Sequence, residues 1–504
     1  MNREMQKTLV FVVAALLMTG AAILGRVDRS RGPGDFNDQG QKFFDDFDPT
    51  SCTTLEVIDF DPETASASPF KVTYKDRKWV IPSHYDYPAD AKQRLIDTAT
   101  GVFGLTKDSI RSDRVEDQET FGVIDPLDLK ANSLRGIGKR VTLKDASDKV
   151  LADFIIGNEV KDHPDQRYVR VPGQKRIYGV NVKVDLSTRF ADWIETNLLK
   201  LDSARVRKVQ IDHREFDPVR ENLIDGDIIA LERKDASTPW TIEGMPEGKE
   251  PNTETLLALS NALGDVKIAG IRPKPAGLTA DLKEDPGTIK TTRQGLLSLK
   301  SKGFYPTSIG LLPNKGEVRV FTDEGVVYTL RYGEAVFASG NELSAGAEPA
   351  KKKDGEKAAT KGTEGTSEGR YLFVTASFDA NMIPEPKVPQ TEDDKFPNDP
   401  FAYEGGENPL VPETKEAKAK AEKLKADRDR LIADGQKKVK ELTDRFAAWY
   451  YVTPGDSYRT IVQDRANLIR DKSAKPANPS AGPGGRPGGL NPSNLGLPFG
   501  PPPR

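Results

Sequence analysis

Gly365-Thr366-Ser367-Glu368-Gly369 has the G-x-S-x-G spacing of a serine nucleophile. That pattern works when the serine sits on a sharp turn between an apolar strand and a helix, with a base beside it. Here it lies in a Lys/Gly/Glu/Thr-rich tract almost without large apolar residues, so it reads as solvated linker. Asp35-Phe36-Asn37-Asp38-Gln39-Gly40, ending at Asp46, supplies oxygens at loop positions 1, 3 and 5 with glycine at 6, as a calcium loop does. Gln39 at 5, Phe43 at 9 and Asp46 at 12 lower its charge and bidentate grip, and no apolar helices flank it. Calcium is not expected.

The remaining reactive side chains are few and scattered. His84 stands beside Tyr85 and Tyr87, His163 precedes Pro164, and His213 lies in a charged stretch; each reads as a surface or hydrogen-bonded histidine. Cys52, the single cysteine, excludes an internal disulfide framework and any multi-thiolate zinc or iron–sulfur site. No G-x-G-x-x-G follows a strand, and neither a Walker lysine nor H-E-x-x-H occurs. Carboxylate pairs are too common in so acidic a chain for one to be singled out. Trp79 and Trp240 read as core aromatics locking a helix onto a sheet rather than as ligand platforms. No catalytic, cofactor-binding or metal-binding residue and no cofactor is therefore expected.

What positions these residues is legible in the patterning. The chain has 504 residues, room for roughly three domains. With 74 Lys and Arg against 77 Asp and Glu the net charge is −3, which disfavours a nucleic-acid partner. Residues 8–24 form an uncharged run flanked by Arg3, Lys7 and Arg26. At ~1.5 Å per residue it nearly spans a ~30 Å hydrocarbon layer, so residues 1–26 are expected to be an uncleaved single-pass anchor in the cytoplasmic membrane, with the bulk of the chain extracytoplasmic; a signal peptide cleaved near Thr19-Gly20-Ala21 is the alternative. Residues 27–53 then read as a flexible tether.

Two tandem α+β units follow, expected at 54–200 and 201–383. In the first, Thr54-Leu55-Glu56-Val57-Ile58-Asp59 alternates as a strand. Strands around Phe70 and Trp79 come next, then a helix carrying Leu95, Ala99 and Val102, with Asp90 as its N-cap, and a meander through Arg140-Val141-Thr142-Leu143, Phe154-Ile155-Ile156-Gly157 and Tyr168-Val169-Arg170-Val171. The order recurs with Ile228-Ile229-Ala230-Leu231 in the place of the first strand, then Trp240, a helix through Leu256, Leu259 and Leu263, and a meander through Val318, Tyr328 and Tyr371. Offsets of 161 (Trp79 to Trp240), 176 (Gly157 to Gly333) and 203 (Tyr168 to Tyr371) imply insertions, one being an expected disordered insert over 345–369. Residues 384–412 form a Pro/acid-rich linker. An amphipathic helix and closing strand and helix fill 413–472, and 473–504 is an expected disordered Gly/Pro tail. The helix stripe is read as Ala417, Ala421, Leu424, Leu431, Leu442, Phe446 and Trp449, weakened at Gly435 and docking on the protein's own body, with a short coiled coil to a partner as the alternative.

Trp79-x-Ile81, Pro88-Ala89-Asp90, Phe121-Gly122-Val123-Ile124-Asp125-Pro126, Ile156-Gly157 and Tyr168-Val169-Arg170 together resemble the bacterial domain-of-unknown-function 4340 family, and Arg445-Phe446-Ala447-Ala448-Trp449-Tyr450-Tyr451-Val452 resembles its planctomycete members. The resemblance implies one amino-terminal anchor and, through gene neighbourhood, an auxiliary role beside gliding-type ABC transporters; it implies no catalytic residues. The expected function is a membrane-anchored, non-enzymatic extracytoplasmic protein, its partner an ABC transporter permease or another envelope protein. An anchored module binding glycan or peptide is the alternative.

Overall fold

The structure, a computed structural model, describes residues 38–472 apart from 45–47, 63–65, 129–134, 183, 185, 218, 221, 281, 283–291, 308–309, 347–366 and 386–414. The expected anchor, nearly all of the expected linker and the expected tail lie outside the described residues, as does most of the insert. Among the described residues no helix is long and apolar enough to cross a membrane.

The chain is α+β, with antiparallel sheets and eight α-helices among the described residues. It opens with β1 (Thr54–Asp61), β2 (Ser66–Lys75), β3 (Lys78–Ile81) and β4 (Tyr87–Pro88). Helix α1 (Lys92–Phe103), β5 (Ser109–Ser112) and α2 (Asp117–Phe121) lead to a meander of β6 (Lys139–Lys144), β7 (Val150–Val160), β8 (His163–Arg170) and β9 (Ile177–Asn181). These nine strands form one sheet in the order β4-β3-β2-β1-β6-β7-β8-β9-β5.

A second series begins with β10 (Val206–Asp212), the small hairpin β11 (Glu215–Asp217) and β12 (Asn222–Ile224), β13 (Ile228–Glu232), β14 (Thr241–Ile242) and β15 (Lys249–Pro251). Then come α3 (Thr253–Gly264), β16 (Gly270–Pro273), α4 (Arg293–Ser301) and the hairpin β17 (Phe304–Thr307) and β18 (Gly310–Pro313). The second meander is β19 (Glu317–Thr322), β20 (Val326–Ala338) and β21 (Ser367–Phe378), with α5 (Gly340–Ala345) after β20. The long helix α6 (Lys415–Phe446), β22 (Trp449–Pro454), α7 (Gly455–Ile461), α8 (Arg465–Leu468) and β23 (Ile469–Asp471), which pairs with β15, complete it. The eight-stranded sheet has the order β14-β13-β10-β19-β20-β21-β22-β16.

Once β4 is set aside, the two orders match strand for strand, with a helix after the third strand and the next strand sent to the far edge in both. From Trp79 through Ile110 the match to Trp240 through Ile271 is ungapped at the offset of 161: Lys92 and Phe103 bound one helix, Thr253 and Gly264 the other. The buried positions coincide too, Leu95, Thr98, Ala99 and Val102 against Leu256, Leu259, Ser260 and Leu263. Alternation explains the sheets: β1 buries Leu55 and Val57 against Val141 and Leu143 of β6, and β10 buries Val209 and Ile211 against Val318 and Val320 of β19. Both sheets feed one continuous core, which also takes in Trp193, Leu198 and Leu199 from the segment joining them.

Four readings of the sequence are corrected. Ile228 to Leu231 belongs to β13, the counterpart of β2, and the counterpart of β1 is β10. The sequence hid β10 because a register shift between Val206 and Lys208 breaks its alternation. Asp90 does not cap α1: Ala91 holds that place without a side-chain hydrogen bond, and the Asp90 amide donates to the Trp193 carbonyl (2.8 Å). Part of the expected tether is fixed, since the Phe43 amide bonds the Leu105 carbonyl, and Phe43 and Phe44 pack on Tyr178 and Phe154. On α6 the inward stripe includes Gly435, Leu442 and Phe446, while Leu431 is exposed. A Cβ at Gly435 would collide with the Glu324 carbonyl and the Phe378 ring, so the residue that looked like a break is one where the helix backbone lies directly against the second unit. The closing strand β22 is an integral strand of that sheet, paired on both sides by β21 and β16.

Candidate functional site

A buried polar constellation lies where the two series meet. Pro82 starts a short 3-10 turn, Pro82–His84, and Tyr85 and Asp86 both take left-handed φ values (57°) to bring the chain back into β4. His84 is fully buried, its ring stacked on Phe190 at 4.1 Å. Its Nδ1 lies 2.9 Å from Ser83 Oγ and its Nε2 2.9 Å from Ser344 Oγ on α5. Because the Ser344 hydroxyl donates to the Gly340 carbonyl (3.0 Å), we assign the proton to His84 Nε2 and have Ser83 donate to Nδ1. Tyr85 adds a hydrogen bond from its hydroxyl to the Ala345 carbonyl (2.9 Å). Buried Arg272 donates to the Ile271 carbonyl and, at the carboxyl end of α5, to the carbonyls of Glu342, Leu343 and Ser344, where the Gly346 amide also donates to Glu342.

Burial first, and then the nearby Arg272 charge, push His84 down to about 4, so it is neutral at pH 7. A neutral histidine beside a serine resembles a base with its nucleophile. Here the serine proton points at a backbone carbonyl, among the described residues no carboxylate orients the imidazole, and both residues are buried. The arrangement can hold α5 against the first sheet; it cannot deprotonate a substrate in place.

Among the described residues, the hollows open to solvent include a cleft and a groove. A cleft of about 590 Å³ lies over the first sheet, its floor made by Ile156 and Gly157 and its rim by Arg94, Lys139, Arg167 and Arg189, with Asp192 as the acidic member. Lys139 reaches Asp59 (2.8 Å), Arg167 reaches Glu159 (2.8 Å) and Arg189 reaches Asp192 (2.9 Å). A groove of about 610 Å³ separates Lys78 and Asp90 of the first unit from Glu441, Asp444 and Arg445 at the end of α6. Tyr87 and Trp449 meet edge to face there, centroids 5.2 Å apart.

The residues that the sequence singled out are not brought together. Ser367, Glu368 and Gly369 begin β21, with Ser367 opposite Ala338, so the G-x-S-x-G serine sits on a strand and not on an elbow. Of the acidic run at 35–46, Asp38 is held by Tyr178 (2.6 Å), Lys107 (3.1 Å) and Arg176 (3.4 Å). Burial alone would raise its pKa; the Tyr178 hydrogen bond and the two cations outweigh this and hold the carboxyl below its usual value. Asp35 and Asp46 lie outside the described residues, and among the described residues no three His, Cys, Asp or Glu are grouped as a metal would need. The Cys52 thiol is buried, donates to the Thr54 carbonyl and is pushed up to about 11 by burial, an unreactive state. His163 is exposed on β8, and His213 Nε2 lies 3.1 Å from the Gln463 carbonyl. Trp79 packs on the core and against Tyr74, and Trp240 is buried under the Arg233 guanidinium. Sequence reasoning missed Ser344, Arg272 and the four rim cations, which come from distant parts of the chain. For Arg167 a signal existed: the offset of 203 that relates Tyr168 to Tyr371 also places Arg167 on Arg370.

Residues 79–284 match the family model of the domain of unknown function DUF4340, a stretch running from β3 past β16 and so across both series. The chain resembles that family on these residues. No curated protein and no solved structure matches the chain.

Proposed function

We propose that this protein is a membrane-anchored, extracytoplasmic, non-enzymatic component that scaffolds or assists an ABC-type transport system of the gliding type. The uncharged run at residues 8–24 supports the anchor, and the likeness to the uncharacterised domain over 79–284 is compatible with the role. The observation that carries the reading is the fate of a buried histidine–serine pair: His84 and Ser344 are spent on fixing one unit to the other, while Arg272 holds α5 in place within the second unit. A chain that commits those groups to rigidity works through its surfaces. We further infer that the two series are copies of one eight-stranded unit, fused into one body by a common core. The alternative, an envelope module binding peptide or glycan, is favoured by the open cleft over the first sheet.

Affinity capture of the full chain from detergent-solubilised membranes tests the proposal. Co-purification of a transporter permease, without turnover of peptidoglycan, peptide or ester substrates in the presence or absence of divalent metal, is the expected result. Turnover that persists through purification and vanishes on changing one carboxylate overturns it.

A further inference from the structure

The two units treat the same place differently. In both, the matching strand, β7 in the first and β20 in the second, carries a glycine followed by a register shift: Ile156 pairs with Val169 before Gly157, and Tyr332 pairs with Leu372 before Gly333. Past each shift an arginine of the neighbouring strand comes next, Arg167 opposite Glu159 and Arg370 opposite Ala335. In the second unit the spot above these residues is filled by α7. The Tyr458 ring meets Tyr332 edge-on at 5.0 Å, lies 4.3 Å beneath the Arg370 guanidinium, and donates its hydroxyl to the Lys315 carbonyl (3.3 Å). Arg459 of α7 pairs with Glu368, and α7 also packs on α3. In the first unit, among the described residues, β9 is followed by a short 3-10 turn (Phe190–Trp193) and not by an α-helix, and the corresponding spot is the 590 Å³ cleft between Arg94 on α1, Lys139, Arg167 and Arg189.

We propose that this cleft receives an aromatic side chain flanked by carboxylates, carried on a short segment of a partner protein and docked as Tyr458 is docked in the second unit. The apolar floor at Ile156 suits a ring, and the arginine equivalent to Arg370 is in place to cover it. The rim sets four cations against Asp192 alone, so the flanking groups of the segment should be acidic. The cations do have carboxylate partners, yet the Arg167 and Arg189 side chains keep 42% and 81% of their surface exposed, so a new carboxylate can join them without burying an unpaired charge. This inference rests on the reading that the protein works through surfaces.

The test is fluorescence anisotropy of a labelled nonapeptide copying residues 454–462 with Arg459→Glu, titrated with the full chain in detergent. Saturable binding is expected, weakened about tenfold or more by Arg94→Ala combined with Arg167→Ala, by Arg189→Glu, and by Tyr458→Ala in the peptide. Arg189 is so exposed that its replacement leaves folding intact, and unchanged circular dichroism of every variant isolates the contact. No saturation by about 1 mM, or equal binding by all variants, overturns the proposal. So does a peptide without tyrosine that binds as tightly and is displaced by inorganic phosphate, which would make the cleft a small-anion site. If the peptide fails to bind while a permease still co-purifies, the cleft assignment falls and the scaffold reading stands.

Discussion

The first and second units share a strand order and differ in what joins the last strands of the meander. In the first, β8 reaches β9 through a short turn, residues 171–176; in the second, β21 and β22 are separated by residues 379–448, which contain the 32-residue helix α6. The sheet is indifferent to this because β22 still pairs with β21 and β16, as β9 pairs with β8 and β5. Ladder register and burial on one face fix a sheet, whereas a surface connection can lengthen at an entropic cost that grows only slowly. The extra chain was then free to take on a second task, closing the far side of the core with Leu442 and Phe446.

The sharpest way to break the comparison is to unseat that helix. Phe446 is fully buried, its ring edge-on to Tyr451 at 6.3 Å, and it sits on a helix that the short turn between β8 and β9 does without. Phe446→Ala is expected to cost about 3–5 kcal/mol, read as a fall in the urea midpoint. A loss below about 1 kcal/mol would mean that α6 is an ornament on a sheet already closed.

The join between the units gives the next largest effect, and it depends on pH. His84 has a folded-state value of about 4, below the 6.5 of an ordinary histidine, so the unfolded chain binds the proton first. The stability from burying neutral His84 is complete above pH 6.5 and is lost as pH falls from 6.5 to about 4, by up to about 3 kcal/mol. His84→Gln should flatten this part of the profile, and the difference between the wild-type and variant curves removes the carboxylates common to both. Identical curves would show that the imidazole is accessible to protons in the folded state.

The two bulge glycines probe the equivalence itself. A Cβ on Gly157 would run into the Phe121 carbonyl, and one on Gly333 into the Lys302 carbonyl, because in each unit the chain after a crossover helix passes over the bulge. Gly157→Ala and Gly333→Ala should each cost about 1–3 kcal/mol. A large loss in one and none in the other would separate the units that topology joins.

Much of this was written in the chain. The ungapped offset of 161 holds from Trp79 to Ile110 because that stretch must pack a helix and reach the far sheet edge with fixed lengths, which requires the same apolar spacing in both units. The β10 strand was hidden by its register shift, and Gly435 looked like a helix break because propensity ignores a neighbouring carbonyl. The candidate site was less legible. Arg94, Lys139, Arg167 and Arg189 lie on four separate elements or connections, and only folding makes them neighbours. His84 and Ser344 are 260 residues apart, joined by a contact that no local pattern announces.

The smallest expected effect concerns how the two equivalent helices begin. In the second unit Asn252 has extended backbone and accepts a hydrogen bond from the Thr255 amide, although at 3.5 Å; its amide group also donates to the Asn467 carbonyl (3.2 Å). The equivalent Ala91 has a helical backbone conformation and no side-chain cap, and its helix nevertheless runs the same 12 residues. What starts both helices must therefore be common to both, and the shared feature is the buried stripe that packs on the core, which supplies more stability than one cap. Asn252→Ala should accordingly cost about 0.5–1 kcal/mol, at the low end for a lost cap because the hydrogen bond is long. Leu256→Ala, which empties a buried position on the same turn, should cost several times more. Urea midpoints of the two variants measured together decide the matter. If Asn252→Ala were the more damaging, the second helix would depend on its cap and on the bond to Asn467, and the carboxyl-terminal segment would be holding it in place in a way the first unit does without.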